Sequence, residues 1–96
     1  MTRDEIIAKL KENAPAIRAE GVTKLAIFGS RARGDARPDS DLDVLIDVND
    51  MFRGLSWPRV ASLIEKITGL SAQVTMRRSL DPRIAERIAD DVIEVF

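Results

Sequence analysis

The chain has 96 residues, 45% of them hydrophobic and 32% charged, and 15 Lys and Arg against 16 Asp and Glu leave a formal net charge of −1. One domain spanning residues 1–96 around a single modest core is expected from that length, and the even charge balance argues against autonomous nucleic-acid binding, which calls for a basic surplus. Cysteine, histidine and tyrosine are all absent, so thiolate metal sites, cysteine nucleophiles and a histidine base are excluded. Chemistry is left to carboxylates, hydroxyls, Lys, Arg and the backbone, and the oxygen ligands among these suit Mg²⁺, Mn²⁺ or Ca²⁺.

In chain order, Thr2 followed three residues later by Glu5 has the form of a capping box. Ile6, Ile7, Leu10, Ala14 and Ile17 then recur at helical spacing. Pro15 interrupts that stripe, which predicts a kink or two short helices meeting near Asn13, and Gly21 is a plausible stop. The run 22-VTKLAIFG-29 is rich in β-branched and aliphatic residues and ends on glycine, the pattern of a strand. Residues 30-SRARGDARPDS-40 have loop chemistry with a single helical turn at the start, and 42-LDVLIDV-48 is a second, mostly apolar and therefore central strand. A helix is predicted from about Trp57 to Thr68, capped by Ser56, with Trp57 packing against the fold, Val60, Ile64 and Ile67 facing inward, and Gly69 ending it. A third strand is placed at 71-SAQVTM-76. Asp81-Pro82 opens a last helix whose buried side is marked by Ile84 and Ile88, and 92-VIEVF-96 is apolar enough to dock on the core. The order α-β-β-α-β-α gives an α+β fold, a small mixed sheet with helices packed on it. No apolar run approaches the roughly 20 residues that span a bilayer, and the charged start MTRDEIIAKLKEN is unlike a signal peptide, so no membrane partner and a cytoplasmic location are expected.

The chemistry concentrates between residues 29 and 43. Side chains at i and i+2 of a strand leave the same face, so Asp41 and Asp43 project together while Leu42 turns to the core. Like charges held this close repel one another unless a cation sits between them, and two carboxylates on a rigid strand form half of an oxygen cage for Mg²⁺. Upstream, Gly29 allows a ligand close to the backbone, and the Ser30 hydroxyl with the following N–H groups can hold phosphate oxygens. Arg31 and Arg33 add positive charge whose forked geometry suits phosphate. Asp39, after Pro38, reads as a turn residue, and Asp47 shares the strand face of Asp43 but lies too far along to join the pair. A phosphate cradle beside a carboxylate metal site is the equipment of phosphoryl or nucleotidyl transfer.

Gly29-Ser30, ten intervening residues and Asp41-Leu42-Asp43 resemble the Gly-Ser-x10-Asp-x-Asp signature of the DNA polymerase beta-like nucleotidyltransferases. The run 28-FGSRARGDARPDSDLDVLI-46 is similar to those of their minimal members, the MNT domains, and the likeness extends over nearly the whole chain. It implies a palm-like nucleotidyltransferase fold, Gly29 and Ser30 binding the triphosphate of ATP or another NTP, with Arg31 and Arg33 beside it, and Asp41 and Asp43 ligating a pair of Mg²⁺ ions. Such domains supply a third carboxylate from the next strand, which helps hold one metal and deprotonates the attacking hydroxyl. Counting back from Leu80-Asp81-Pro82 puts that position at Gln73, and residues 69 to 80 contain no Asp or Glu. A neutral amide cannot take that proton at pH 7, although its carbonyl can touch a metal. The resemblance implies an antitoxin that moves AMP from ATP to a tyrosine hydroxyl on a partner HEPN toxin, in a complex for which a homo-oligomeric state is left open. Gln73 implies an alternative, a catalytically impaired module that neutralises its toxin by contact.

Overall fold

At the N-terminus the Thr2 hydroxyl accepts the Glu5 N–H at 3.2 Å, and the Glu5 carboxylate accepts the Thr2 N–H at 3.1 Å, closing the reciprocal cap that starts α1 (Arg3–Glu12). That helix buries Ile6 and Leu10, and the chain breaks at Asn13 before a five-residue α2 (Ala14–Arg18) with Pro15 in its first turn. The computed structural model describes all residues, Met1–Phe96. Gly21 follows with φ +99°, and a side chain there would run into the backbone of Phe52, with a Cβ only 2.9 Å from its Cα. Its positive φ and lack of a Cβ turn the chain into the sheet.

Strands β1 (Val22–Phe28) and β2 (Leu42–Val48) are antiparallel neighbours at the centre of the sheet. The helix α4 (Ser56–Thr68) carries the chain over to β3 (Ala72–Met76), which runs parallel to β2 as the crossover requires. After a last helix at Pro82–Ile88, β4 (Ile93–Glu94) pairs antiparallel with β1, completing the order β3-β2-β1-β4. Leu42, Val44 and Ile46 alternate onto one face and pack with Leu25, Ile27, Val60, Ile64 and the helix residues Ile6, Leu10 and Ile17. Asp43, Leu45 and Asp47 take the opposite face, so the apolar alternation of β2 commits one side of the sheet to the core and leaves the other for chemistry. The α+β class and the mixed sheet are therefore as expected.

Three local expectations are corrected. Ser56 lies inside α4 and not ahead of it, because its hydroxyl accepts the Arg53 N–H at 3.0 Å and so closes the preceding turn. Ile84 is 42% exposed: the short helix over Asp43's side of the sheet turns Ala85 and Ile88, not Ile84, toward Leu45. Trp57, expected to pack, is 39% exposed at the first turn of α4. The C-terminal run does dock, and it does so as a strand: the Leu25 N–H donates to the Phe96 carbonyl at 3.0 Å, and the Val95 N–H to the Leu25 carbonyl at 2.7 Å.

Candidate nucleotide-transfer site

β1 ends where Phe28 pairs with Asp43. Gly29 then adopts φ +74° and starts the five-residue α3 (Gly29–Arg33), whose N-terminus no side chain caps. A Cβ on Gly29 would lie 3.2 Å from the Asp43 Cγ and overlap its Oδ2, so the carboxylate rests directly against the glycine backbone. Gly34 closes the turn with φ +85°, and the N–H groups of Gly34 and Asp35 both donate to the Ser30 carbonyl, at 2.9 and 3.1 Å. Ser30 is half-buried beside this turn, and its hydroxyl makes no hydrogen bond within the chain.

Arg31 has a different environment from the one its charge suggested. It is 7% exposed, and its guanidinium donates to the Ser40 carbonyl at 2.9 and 3.3 Å and to the Pro38 carbonyl at 3.3 Å. The arginine thus holds the loop 35–41 from beneath, while the Ser40 hydroxyl accepts the Arg37 N–H at 2.9 Å and the Ser40 N–H donates to the Arg37 carbonyl at 3.0 Å. Asp39 occupies the turn between them, as expected. This bracing sets Asp41 at the mouth of β2. Arg33 stays on the surface, donating to Asp35 at 3.1 Å and Asp91 at 2.9 Å, and these bonds raise its already high pKa.

Across the other ladder, Asp43 is the register partner of Gln73. The residue reached by the count from Asp81-Pro82 thus lies opposite Asp43 in the ladder. Gln73 Nε2 donates to Asp41 Oδ2 at 3.4 Å, a long bond on an exposed side chain. Phe28, Asp43 and Gln73 therefore form one row across three strands, with Gly29 and Asp41 at its margins. Burial pushes the Asp43 carboxyl above its ordinary pKa, the neighbouring Asp41 charge adds to that rise, and Arg33 opposes it. No third Asp, Glu, His or Cys joins the pair to complete a metal cluster. Asp47 is engaged elsewhere, accepting from Arg77 Nε at 2.9 Å, while Arg77 Nη2 reaches Glu94 at 3.0 Å.

Sequence reasoning did not find the carbonyl contacts of Arg31 or the Arg33–Asp91 pair. The second joins residues 58 positions apart and has no local signal. The first had a weak one, since Arg31 sits beside Ala32, which the short helix buries.

A mixed sheet backed by helices, with a Gly-Ser turn pressed against an Asp-x-Asp strand, is the architecture of domains that transfer nucleotidyl groups. The chain belongs to the nucleotidyltransferase domain family, whose model matches residues 3–95. It is 31% identical over 96 residues to the protein adenylyltransferase MntA of Thermococcus cleftensis, covering 99% of this chain and 97% of that protein. A solved structure described as a minimal nucleotidyltransferase superposes with a TM-score of 0.82 at 29% identity, over 97% of this chain and 95% of the other. The fold also matches, with a TM-score of 0.62 and 11% identity over 90% of this chain and 68% of the other, a chain from the complex of a tri-AMPylated Shewanella oneidensis HEPN toxin with its MNT antitoxin. No helix is long and apolar enough to cross a membrane.

Proposed function

We propose that this nucleotidyltransferase moves AMP from ATP to a hydroxyl of a partner HEPN-type toxin and so acts as its antitoxin, in the cytoplasm where ATP and Mg²⁺ are at hand. The observation that carries this is the contact of Gly29 with the Asp43 carboxylate, which brings the triphosphate turn and the Asp41/Asp43 pair into one site. Donor chemistry fits Mg²⁺: two hard carboxylates lie side by side, and burial, with the neighbouring Asp41 charge, holds Asp43 above its ordinary pKa. Asp41 and Asp43 would hold the ion, which when bound neutralises charge on the phosphates. Gly29 admits the triphosphate, and the Ser30 hydroxyl with the free N–H groups of α3 binds its oxygens. Arg33 flanks the phosphates, and Arg31 serves the site through the loop it holds. Support for the acceptor comes from the adenylyltransferase name of the Thermococcus relative and from the AMPylated toxin in the Shewanella complex.

Gln73 favours a second reading, in which the chain binds and neutralises its partner with little or no transfer. An amide facing Asp41 offers no base for the acceptor hydroxyl, and a missing general base slows such reactions by about 10²–10⁴-fold. Incubation with labelled ATP, Mg²⁺ and the partner separates the two. Transfer of label that disappears in Asp41→Asn and Asp43→Asn supports the enzyme. An intact complex that never acquires label leaves the contact reading alone.

A further inference from the structure

A site for two divalent ions draws on three carboxylates in the domains this chain resembles, and this chain supplies two. Asp41 and Asp43 together balance a single divalent cation, and no other carboxylate approaches them. Asp47, the next carboxylate on the same strand face, is held by Arg77 at 2.9 Å. Two ions in a shared site stand about 3.5–4 Å apart, and without a third carboxylate the chain offers the second ion no anionic side chain beyond the pair it would share with the first. At that edge the structure places an amide. Gln73 lies opposite Asp43 in the ladder, and its Nε2 points a donor at Asp41 Oδ2 from 3.4 Å. A donor in that place supplies partial positive charge to one oxygen of Asp41 and competes with any cation approaching from β3.

We propose that the site takes one divalent ion, carried in with the nucleotide, and that the Gln73 amide occupies the side of Asp41 where a second ion would bind. This rests on the nucleotidyltransferase reading above and narrows it, because a one-ion site holds its nucleotide but leaves the acceptor hydroxyl without a metal of its own. The prediction concerns occupancy as well as rate, so it can be read without turnover.

The test counts Mn²⁺ bound to the full chain with a saturating non-hydrolysable ATP analogue, from the electron paramagnetic resonance signal of free Mn²⁺. One Mn²⁺ per bound analogue is expected for the wild-type chain and for Gln73→Ala. Gln73→Asp is expected to gain a second, bound at least tenfold more tightly than any second ion in the wild type. Gln73 is exposed, so the substitution leaves the core alone, and a melting curve checks its folding. If the variant does not fold, the wild-type count decides by itself. Two ions per analogue in the wild type, or a folded Gln73→Asp that stays at one, overturns the proposal while leaving the nucleotidyltransferase reading intact. Failure to bind the analogue at any Mn²⁺ concentration overturns both.

Discussion

Replacing Gly29 by alanine tests the closest approach in the site. At φ +74° a residue with a Cβ is in the left-handed region, which costs an L-residue about 1–2 kcal/mol relative to its preferred conformation. The added methyl also overlaps Asp43 Oδ2 and sits 3.2 Å from Cγ. Because a carboxylate on a single χ1 can swing away, the second effect falls mainly on geometry, and Asp43 leaves the place it shares with Asp41. For a domain of this size a loss of about 1–2 kcal/mol lowers the melting temperature by about 4–16 °C, while a displacement of an ångström at a reacting group costs about 10²-fold in transfer. Thermal unfolding reads the first effect, and calorimetry with MgATP analogue together with label transfer reads the second. In an Asp43→Ala background the same substitution should cost a similar amount of stability, since the backbone conformation is unchanged, but have no further effect on binding. A Gly29→Ala chain that melts within about 2 °C of the wild type and binds nucleotide equally well would refute both the strained backbone and the contact.

Two further substitutions test what surrounds that contact. Arg31→Ala removes the charged donor of part-buried hydrogen bonds to the Pro38 and Ser40 carbonyls, so urea unfolding should show a loss of about 1.5–3 kcal/mol and proteolysis should cut residues 35–41 sooner; Arg31→Lys should recover only part, as an ammonium lacks the fork. Unchanged stability with weakened nucleotide binding would instead make Arg31 a phosphate ligand. Asp43→Asn tests the burial of charge. Asp43 has a raised pKa in the folded chain, so its contribution to stability is complete below the unfolded value and is lost as pH rises through the folded one. In chelator at neutral pH the variant should therefore melt above the wild type, with the gap closing as pH falls through the raised folded value and gone by about pH 4. A gap independent of pH would sink that account.

Much of the fold is local and was legible for that reason. The reciprocal Thr2–Glu5 cap, the break before Pro15 and the alternation of 42-LDVLIDV-48 each follow from a few neighbouring residues. Gln73 could be placed because Asp81-Pro82 fixes a helix start from which to count, and the β2–β3 ladder puts it opposite Asp43. What escaped depends on partners remote in sequence. The two-residue β4 is too short to show alternation, and its strand character comes from β1. The carbonyl contacts of Arg31 stayed hidden because charge is visible in a sequence and the carbonyls of a folded loop are not. Ile84 looked buried because helical spacing identifies an apolar stripe without saying which part of it the sheet will meet.

The position of Gln73 has a consequence for how such a site can change. It lies on β3, an edge strand, with its side chain exposed, while Val74 is buried in the core and Ala72 and Met76 pack against it. Backbone pairing to β2 therefore keeps residue 73 in place whatever its side chain. Substitutions at Asp43 or Gly29 disturb the middle of the sheet, but one at position 73 can shift the charge of the site by a unit while the packing stays as it is. On the function proposed above, transfer and folding are uncoupled at this residue, so a lineage could turn transfer up or down there without rebuilding the fold.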